Sequence, residues 1–403
     1  MGVYPEDWEI DVPELMRLWI AEVFLKPING KYLEVVAQEY FNELLGRNLI
    51  LVNKRGCTGE TIKCKVHDLL VDVCVREAQK HKFYFFASHH NFNNPPDLNT
   101  QRRVVVHDCT KPKVVCAWVS HHGTFVRSLT SKAICSLWNL QTLHVTGAEV
   151  ATSKIWKMSQ LRHVHFSRLY LLDPHLSGRT NDDGGDDFVL ENLQTLSRVC
   201  NLKFSEEVVK RIPNIKELGV YYEGIVDWSS CCLHNLVQLI NLESLSFAFR
   251  FLREPIPSEL LESLPRSLKE LTLEGTKIKL GDLGEKISSL PHQVLKLKWG
   301  SLVGPEWETF EGQFRSLKYW KIEGWYDLKH WRTESWTHFP CLEHLFLWDL
   351  PNLKEIPSEI EETLKSIEME SCSEPTLISA NEILKEQEDL GMKAFMSKYF
   401  VVL

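Results

Sequence analysis

The chain has 403 residues, 44% of them hydrophobic, and at roughly 150 residues per domain that length supports two or three core-forming units. Charged residues at 25% and aromatics at 10% place it among globular rather than disordered chains. Lys+Arg total 46 against 54 for Asp+Glu, a net charge of -8, which excludes a dedicated nucleic-acid binder, and no apolar run approaches the roughly 20 residues of a membrane span.

The first residues lack the basic start and apolar stretch of a secretory signal, and Glu6 stands where a myristoylation signal wants Ser or Thr. Eleven cysteines lie scattered with no C-x-x-C pair, and Cys231 and Cys232 are adjacent. That pattern predicts reduced thiols, no disulfide or structural metal, and a cytoplasmic setting.

Residues 1–90 read as a small α+β unit. Asp11 and Pro13 open a helix with Leu15, Leu18, Trp19 and Val23 as its apolar residues. A second helix is predicted over 31–45, with Leu33, Val36, Ala37, Tyr40, Phe41 and Leu44 on one face and Gly46 as its stop. The segments 49–52 and 61–66, around Arg55-Gly56-Cys57-Thr58-Gly59, predict a β-hairpin. Asp68 is expected to cap a third helix carrying Leu69, Leu70, Val73 and Cys74. Two helices, a hairpin and a helix make a winged helix. DNA binding is excluded by charge, because the second helix sets Lys31 against Glu34, Glu39 and Glu43.

From residue 126 the chain is organised by a repeat, L-x-x-L-x-L with apolar substitutes. It begins at Leu140, Leu161, Leu193, Ile215, Leu242, Leu268, Val294, Leu317, Leu342 and Leu364. All but one of the steps fall in the roughly 20–29-residue window of leucine-rich repeats. Each repeat supplies one short strand whose alternate residues stack on the neighbouring coil, and Ile256-Pro257-Ser258 and Ile356-Pro357-Ser358 mark returning turns. The fold class expected is therefore an α+β winged-helix unit followed by an α/β leucine-rich-repeat solenoid, a horseshoe. Its expected divisions are a winged helix at 1–90, a junction at 91–125, repeats at 126–373, and a C-terminal helix and tail at 374–403. The long step holds Thr180-Asn181-Asp182-Asp183-Gly184-Gly185-Asp186-Asp187, which lacks the spacing and terminal Glu of a calcium loop and reads as a solvated insertion.

In such a solenoid the x positions face outward. Late coils place Lys269, Lys296, Lys298, Lys318, Tyr319, Lys321 and Lys365 there, beside His344 and Phe346. Early coils place Gln141, Thr142, His144, Arg162, His163, His165, Gln194 and Thr195 there. The lysine track is a candidate partner-binding surface for an acidic protein face, set against a merely solvated face. Trp320 replaces a leucine and is expected in the core. Trp299, Trp325, Trp331, Trp336 and Trp348 are divided between core and interface in a way that spacing leaves open.

Several phrases resemble the plant nucleotide-binding leucine-rich-repeat disease-resistance family, coiled-coil class, late-blight-resistance-like. They are Tyr4-Pro5-Glu6-Asp7-Trp8-Glu9-Ile10, Leu18-Trp19-Ile20-Ala21-Glu22 with Phe24-Leu25, and Arg47-Asn48-Leu49-Ile50. Val66-His67-Asp68-Leu69-Leu70 is similar to the Met-His-Asp motif, with Val in place of Met. Arg102-Arg103-Val104-Val105-Val106-His107 resembles the strand that leads into the repeats, and Asn381-Glu382-Ile383-Leu384-Lys385-Glu386-Gln387-Glu388 the tail.

The resemblance implies an intracellular immune receptor whose repeats sense a pathogen effector or a modified host protein and restrain an ADP/ATP-dependent switch. It implies for His67 a contact with the ADP β-phosphate, a role suited to an imidazole. The family's P-loop core and signalling domain would precede Met1, so the chain is expected to be the C-terminal portion of such a receptor. No G-x-x-x-x-G-K-[ST] occurs, and Gly281-Asp282-Leu283-Gly284-Glu285-Lys286 has the wrong spacing. The expectation is therefore no catalysis, no cofactor held by this chain alone, and protein partners: an effector, a guarded host protein, or its own or a related nucleotide-binding domain. The alternative is a generic scaffold or ubiquitin-ligase substrate adaptor, which would want an F-box-like module ahead of the repeats.

Overall fold

The computed structural model describes residues 9–21, 25, 33–56, 60–80, 85–87, 103–106, 128–130, 141–152, 154–171, 189–278, 280–288, 290–291, 293–389 and 395–398. The acidic insertion 180–187 and most of the 91–125 junction lie outside them. The chain divides into two units, Met1–Arg198 and Val199–Leu403.

In the first unit, Asp11 Oδ1 accepts the Glu14 backbone N–H at 3.0 Å. That bond satisfies one of the donors a helix start leaves unpaired and opens α1 (Val12–Ala21). Helix α2 (Leu33–Gly46) buries Val36, Ala37 and Phe41, while Tyr40 of the expected face is exposed. Strand β1 (Ile10–Asp11) and the hairpin β2 (Ile50–Arg55) and β3 (Thr61–Val66) form an antiparallel sheet in the order β1-β3-β2. Ile10, Val12, Leu15, Phe41, Ile50, Cys64 and Val66 form one buried cluster between these helices and the sheet, beside a second of Ile20, Leu25, Val36 and Ala37. Helix α3 (Asp68–Lys80) follows. Its cap is not Asp68: the His67 carbonyl accepts from Leu70 N (2.7 Å) and Val71 N (3.2 Å), so His67 holds the capping position and Asp68 is already helical.

Repeat-type pairing begins ahead of 126. Strands β4 (Phe85–Ala87), β5 (Arg103–Val106) and β6 (Ser128–Thr130) are parallel to one another and lead into β7 (Thr142–Thr152) and β8 (His163–Leu171). Strand β9 (Thr195–Cys200) runs across the point where the chain divides.

The second unit is a parallel ladder. Its strands are β10 (Glu217–Glu223), β11 (Ser244–Arg250), β12 (Glu270–Glu274) and β13 (Val294–Lys298), then β15 (Tyr319–Glu323), β17 (His344–Leu350), β18 (Ser366–Cys372) and β19 (Phe395–Lys398), each paired to the next. Strands β14 (Glu306–Glu308) and β16 (His330–Arg332) form a separate parallel pair on the returning side. The C-terminal helix is Glu374–Asp389.

The leucines of the motif form continuous buried rows. Leu218, Leu245, Leu271, Leu295, Trp320, Leu345 and Ile367 are in register, as are Val220, Phe247, Leu273, Leu297, Ile322, Leu347 and Met369. This stacking of one coil on the next, rather than packing around a centre, is what a leucine-rich repeat requires. The same register corrects one frame. In β13 the inward pair is Leu295 and Leu297, so the motif does not start at Val294, and Trp299 lies beyond the strand with 47% of its surface exposed. The position equivalent to Leu268 is residue 292, outside the described residues.

Between β13 and β17 the leucines give way to aromatics. The Trp307 and Trp320 rings lie 4.9 Å apart edge to face, Trp307 and Trp331 stack at 5.2 Å, and Phe314 and Phe339 stack at 5.2 Å. Trp320 and Trp331 are core, as is Trp325, whose indole N–H donates to Gly304 O at 3.1 Å. Trp299 and Trp336 are exposed.

Candidate protein-interaction face

The outward positions of the second unit fall into rows fixed by the register. One row is Thr272, Lys296, Lys321, Phe346 and Glu368. The next is Glu274, Lys298, Glu323, Trp348 and Glu370. Read strand by strand, β12 presents a threonine and an acid, β13 bases, β15 one of each, β17 aromatics and β18 acids.

The lysines singled out in the sequence are on this face but are not a bare cationic track. Lys269 Nζ lies 2.8 Å from Glu243 Oε2, Lys296 Nζ 2.6 Å from Glu270 Oε1, and Lys365 Nζ 2.7 Å from Glu343 Oε2. On the returning side Lys286 Nζ lies 2.7 Å from Glu262 Oε1. In all four pairs the carboxylate comes from the coil before. Lys365 holds the Glu343 carboxyl below its ordinary pKa, against a smaller opposing effect of burial. Solvent screens exposed pairs of this kind, so their effect is on the pattern of charge more than on stability.

Lys321 differs. It is 8% exposed, its ammonium stands 3.2 Å from the centroid of the Trp348 ring, and Nζ lies 2.7 Å from Glu323 Oε2. That oxygen has no aligned hydrogen bond, so the contact is ionic rather than directional. Stacking on an aromatic face offsets part of the cost of desolvating the ammonium. Lys321 is therefore a structural cation within the face. Phe346 beside it is buried, and half-burial raises the Glu368 pKa despite the opposing charge of Lys321.

Lys298 and Lys318 are half-buried on the same face. The Tyr319 ring stacks on His344 at 4.7 Å with the planes 2° apart, and His344 Nδ1 shares a hydrogen bond with Ser366 Oγ at 2.7 Å. Burial lowers the His344 pKa, outweighing the nearby Glu343 carboxylate.

The structure corrects three of the early-coil positions expected at the surface, while Gln141, Arg162, His165 and Gln194 are partly exposed. Thr142, His163 and Thr195 are buried, and His163 Nδ1 meets Thr195 Oγ1 at 3.2 Å across adjacent coils. That contact pairs one ring nitrogen of His163 under cover, whereas Thr142 Oγ1 and His163 Nε2 are buried without a hydrogen-bond partner. His165 Nδ1 likewise meets Ser197 Oγ at 2.5 Å.

His67 is exposed at the head of α3, its backbone N–H donating to Leu49 O at 3.4 Å. A single imidazole at a helix start does not fit a nucleoside diphosphate unaided, because phosphate affinity rests on converging backbone amides, a lysine and metal ligands. Among the described residues no three His, Cys, Asp or Glu side chains could hold a metal ion, and no helix is long and apolar enough to cross a membrane.

What sequence reasoning missed is the set of partners: Glu243, Glu270, Glu323 and Glu343. The available signal was a glutamate one repeat length ahead of Lys269, Lys296 and Lys365, and for Lys321 a glutamate two residues on in the same strand.

Residues 3–74 match the winged-helix domain of disease-resistance proteins. Over 96% of its length the chain is similar to late blight resistance proteins of Solanum demissum. It is 28% identical to the late blight resistance protein homolog R1B-16 and 26% identical to late blight resistance protein R1-A, covering 34% and 35% of those proteins. The chain thus spans about a third of the length of the curated relatives it matches. A leucine-rich-repeat protein of Leptospira interrogans is matched at 15% identity and a TM-score of 0.34, over 78% of this chain and 99% of that one.

Proposed function

We propose that this chain, which carries a disease-resistance winged helix and resembles late blight resistance proteins along 96% of its length, is the recognition and restraint portion of a plant immune receptor. The outward sheet face of its stacked repeats docks a protein surface. That surface belongs to a pathogen effector, a host protein altered by one, or a nucleotide-binding domain of the same class. The chain performs no catalysis. Any ADP/ATP switch is supplied by a P-loop module, toward which His67 contributes one phosphate contact from the head of α3.

The observation that carries the reading is the ladder of parallel coils behind a winged helix, with one face patterned in acid, base and aromatic strips. With Lys321 and Phe346 buried within it, the remaining outward side chains of that face reach solvent, and its strips of charge select a partner by complementarity more than by raw affinity.

The test uses the full chain and a separately expressed P-loop module of a late blight resistance protein as the probe. Lys269, Lys298 and Lys318 are replaced by Glu together, while Lys321 is kept because it is structural. Capture of the probe weakens severalfold and its salt dependence becomes shallower. Capture that is unchanged in strength and salt dependence removes the sheet face from the mechanism. ADP titrated into the chain alone gives no heat, and micromolar binding lost in His67→Ala would show that the chain holds a nucleotide without help.

A further inference from the structure

One row of the sheet face holds a group whose charge changes close to neutrality. The residues that begin the late strands stand in register as Val294, Tyr319, His344, Ser366 and Phe395. Backbone bonds between coils set Gln293, Lys318, Glu343 and Lys365 just ahead of them. Of these side chains, the imidazole of His344 has the ordinary pKa nearest to neutral pH.

Both ring nitrogens of His344 have defined surroundings. The parallel Tyr319 ring at 4.7 Å fixes the plane of the imidazole, and Nδ1 shares its hydrogen bond with Ser366 Oγ at 2.7 Å. Nε2 stands 4.0 Å from Glu343 Oε2, beyond hydrogen-bond reach. That same carboxylate oxygen is held by Lys365 Nζ at 2.7 Å. A protonated imidazole carries a donor on each nitrogen. Nδ1–H stays with Ser366, and Nε2–H is turned to Glu343, which must approach to roughly 2.8 Å for a charge-assisted bond. The stack and the Ser366 bond pin the ring, so the Glu343 side chain makes that move. It does so at the expense of Lys365, whose side chain is mostly exposed.

We propose that Tyr319, Glu343, His344, Lys365 and Ser366 form a proton-operated switch on the sheet face: protonation of His344 draws the Glu343 carboxylate from Lys365 and turns that ammonium toward an acidic partner. The inference rests on the docking role proposed above for this face. The charges around His344 are Lys318 ahead of β15, Glu343 ahead of β17 and Lys365 ahead of β18. Two cations and one carboxylate give +1, which becomes +2 when His344 takes a proton. Val294 and Phe395, at the ends of the row, carry no charge. The next row adds Lys321 and Glu368, which are opposite in sign. Burial and Lys365 oppose protonation of His344 while Glu343 favours it, so the switch turns below the ordinary imidazole pKa of about 6.5. The Tyr319 face beneath the ring is attractive to the imidazolium.

The test follows the full chain by NMR as pH falls, with its lysines carrying isotope-labelled methyl groups that keep their charge. The Lys365 signal, assigned through Lys365→Arg, shifts with the same midpoint as the His344 imidazole. In His344→Gln and in Glu343→Gln that step is lost. A synthetic oligo-aspartate peptide binds the unaltered chain about fivefold more tightly below the midpoint than above it, the effect of one unit charge at about 4 Å in water. His344→Gln removes the rise, whereas Glu368→Gln retains it. Lys365→Met, which takes away the competitor for Glu343, raises the His344 midpoint and serves if His344→Gln does not fold. A Lys365 step that persists in His344→Gln, a rise in peptide affinity that follows Glu368 instead, or an unmoved midpoint in Lys365→Met overturns the proposal. Because these readouts use only the chain and a synthetic peptide, failure of the P-loop module to bind would fall on the docking reading alone.

Discussion

Gly275→Ala tests the close stacking of the coils. Gly275 follows β12 and lies beside Phe249 of the preceding coil, with φ +67°. A Cβ there would approach the Phe249 carbonyl oxygen closer than 3.0 Å, and since that neighbour is backbone, the two coils must shift. The left-handed conformation alone costs alanine about 1–2 kcal/mol, and forcing packed backbones apart costs about 1–3 kcal/mol more, giving about 2–5 kcal/mol together. Gly300 provides the control: its φ is +74°, but a Cβ there would meet nothing within 4 Å. Gly300→Ala should therefore lose only the conformational part, about 1–2 kcal/mol. Urea denaturation of the full chain, followed by far-ultraviolet circular dichroism, measures both. Equal losses for the two variants would refute the claim that the coil spacing, rather than the backbone angle, demands glycine at 275.

Two further predictions concern the buried charges of the sheet face. Lys321→Met strands the Glu323 carboxylate and should cost about 3–5 kcal/mol, whereas combining it with Glu323→Leu should recover most of that loss; a single-variant cost under about 1 kcal/mol would mean the ammonium behaves as a surface ion. The pH profile follows from two groups of opposite sign. His344 has a folded pKa below its unfolded value, so the unfolded chain binds more protons as pH falls below about 6.5, and stability declines from there down to the lowered folded pKa. Glu368 has a folded pKa above its unfolded value, so its contribution is present below the unfolded pKa and lost as pH rises through the folded one. His344→Gln should flatten the first slope and Glu368→Gln the second, each read from denaturation midpoints across pH; unaltered slopes would place these side chains in solvent.

The repeat was legible because its signal is local: Leu242 lies just ahead of β11 and Leu245 and Phe247 lie in it, and spacing alone names them. The winged helix was legible for the same reason, through Asp11 as a cap and Val36, Ala37 and Phe41 on one helical face. The frame at β13 was misread because Val294 and Trp299 are apolar at motif spacing, and only pairing with β12 and β15 shows that Leu295 and Leu297 point inward. The lysines were read as a free track because the carboxylates paired with Lys269, Lys296 and Lys365 lie 22 to 26 residues away, a relation that exists once the coils are stacked. Thr142, His163 and Thr195 were assigned to solvent by their x positions in the repeat, yet all three are covered in the stacked coils, where His163 Nδ1 meets Thr195 Oγ1.

The one-way sense of the lysine–glutamate pairs constrains how the array can change by duplication or loss of a coil. A coil copied out of place would meet, on its leading side, a neighbour without the matching carboxylate, and would offer its own to a neighbour without the ammonium. Exchange at a single seam thus leaves two unmatched charges, whereas exchange of consecutive coils leaves mismatches only at the outer boundaries. Variation in this array is physically cheapest when it travels in blocks.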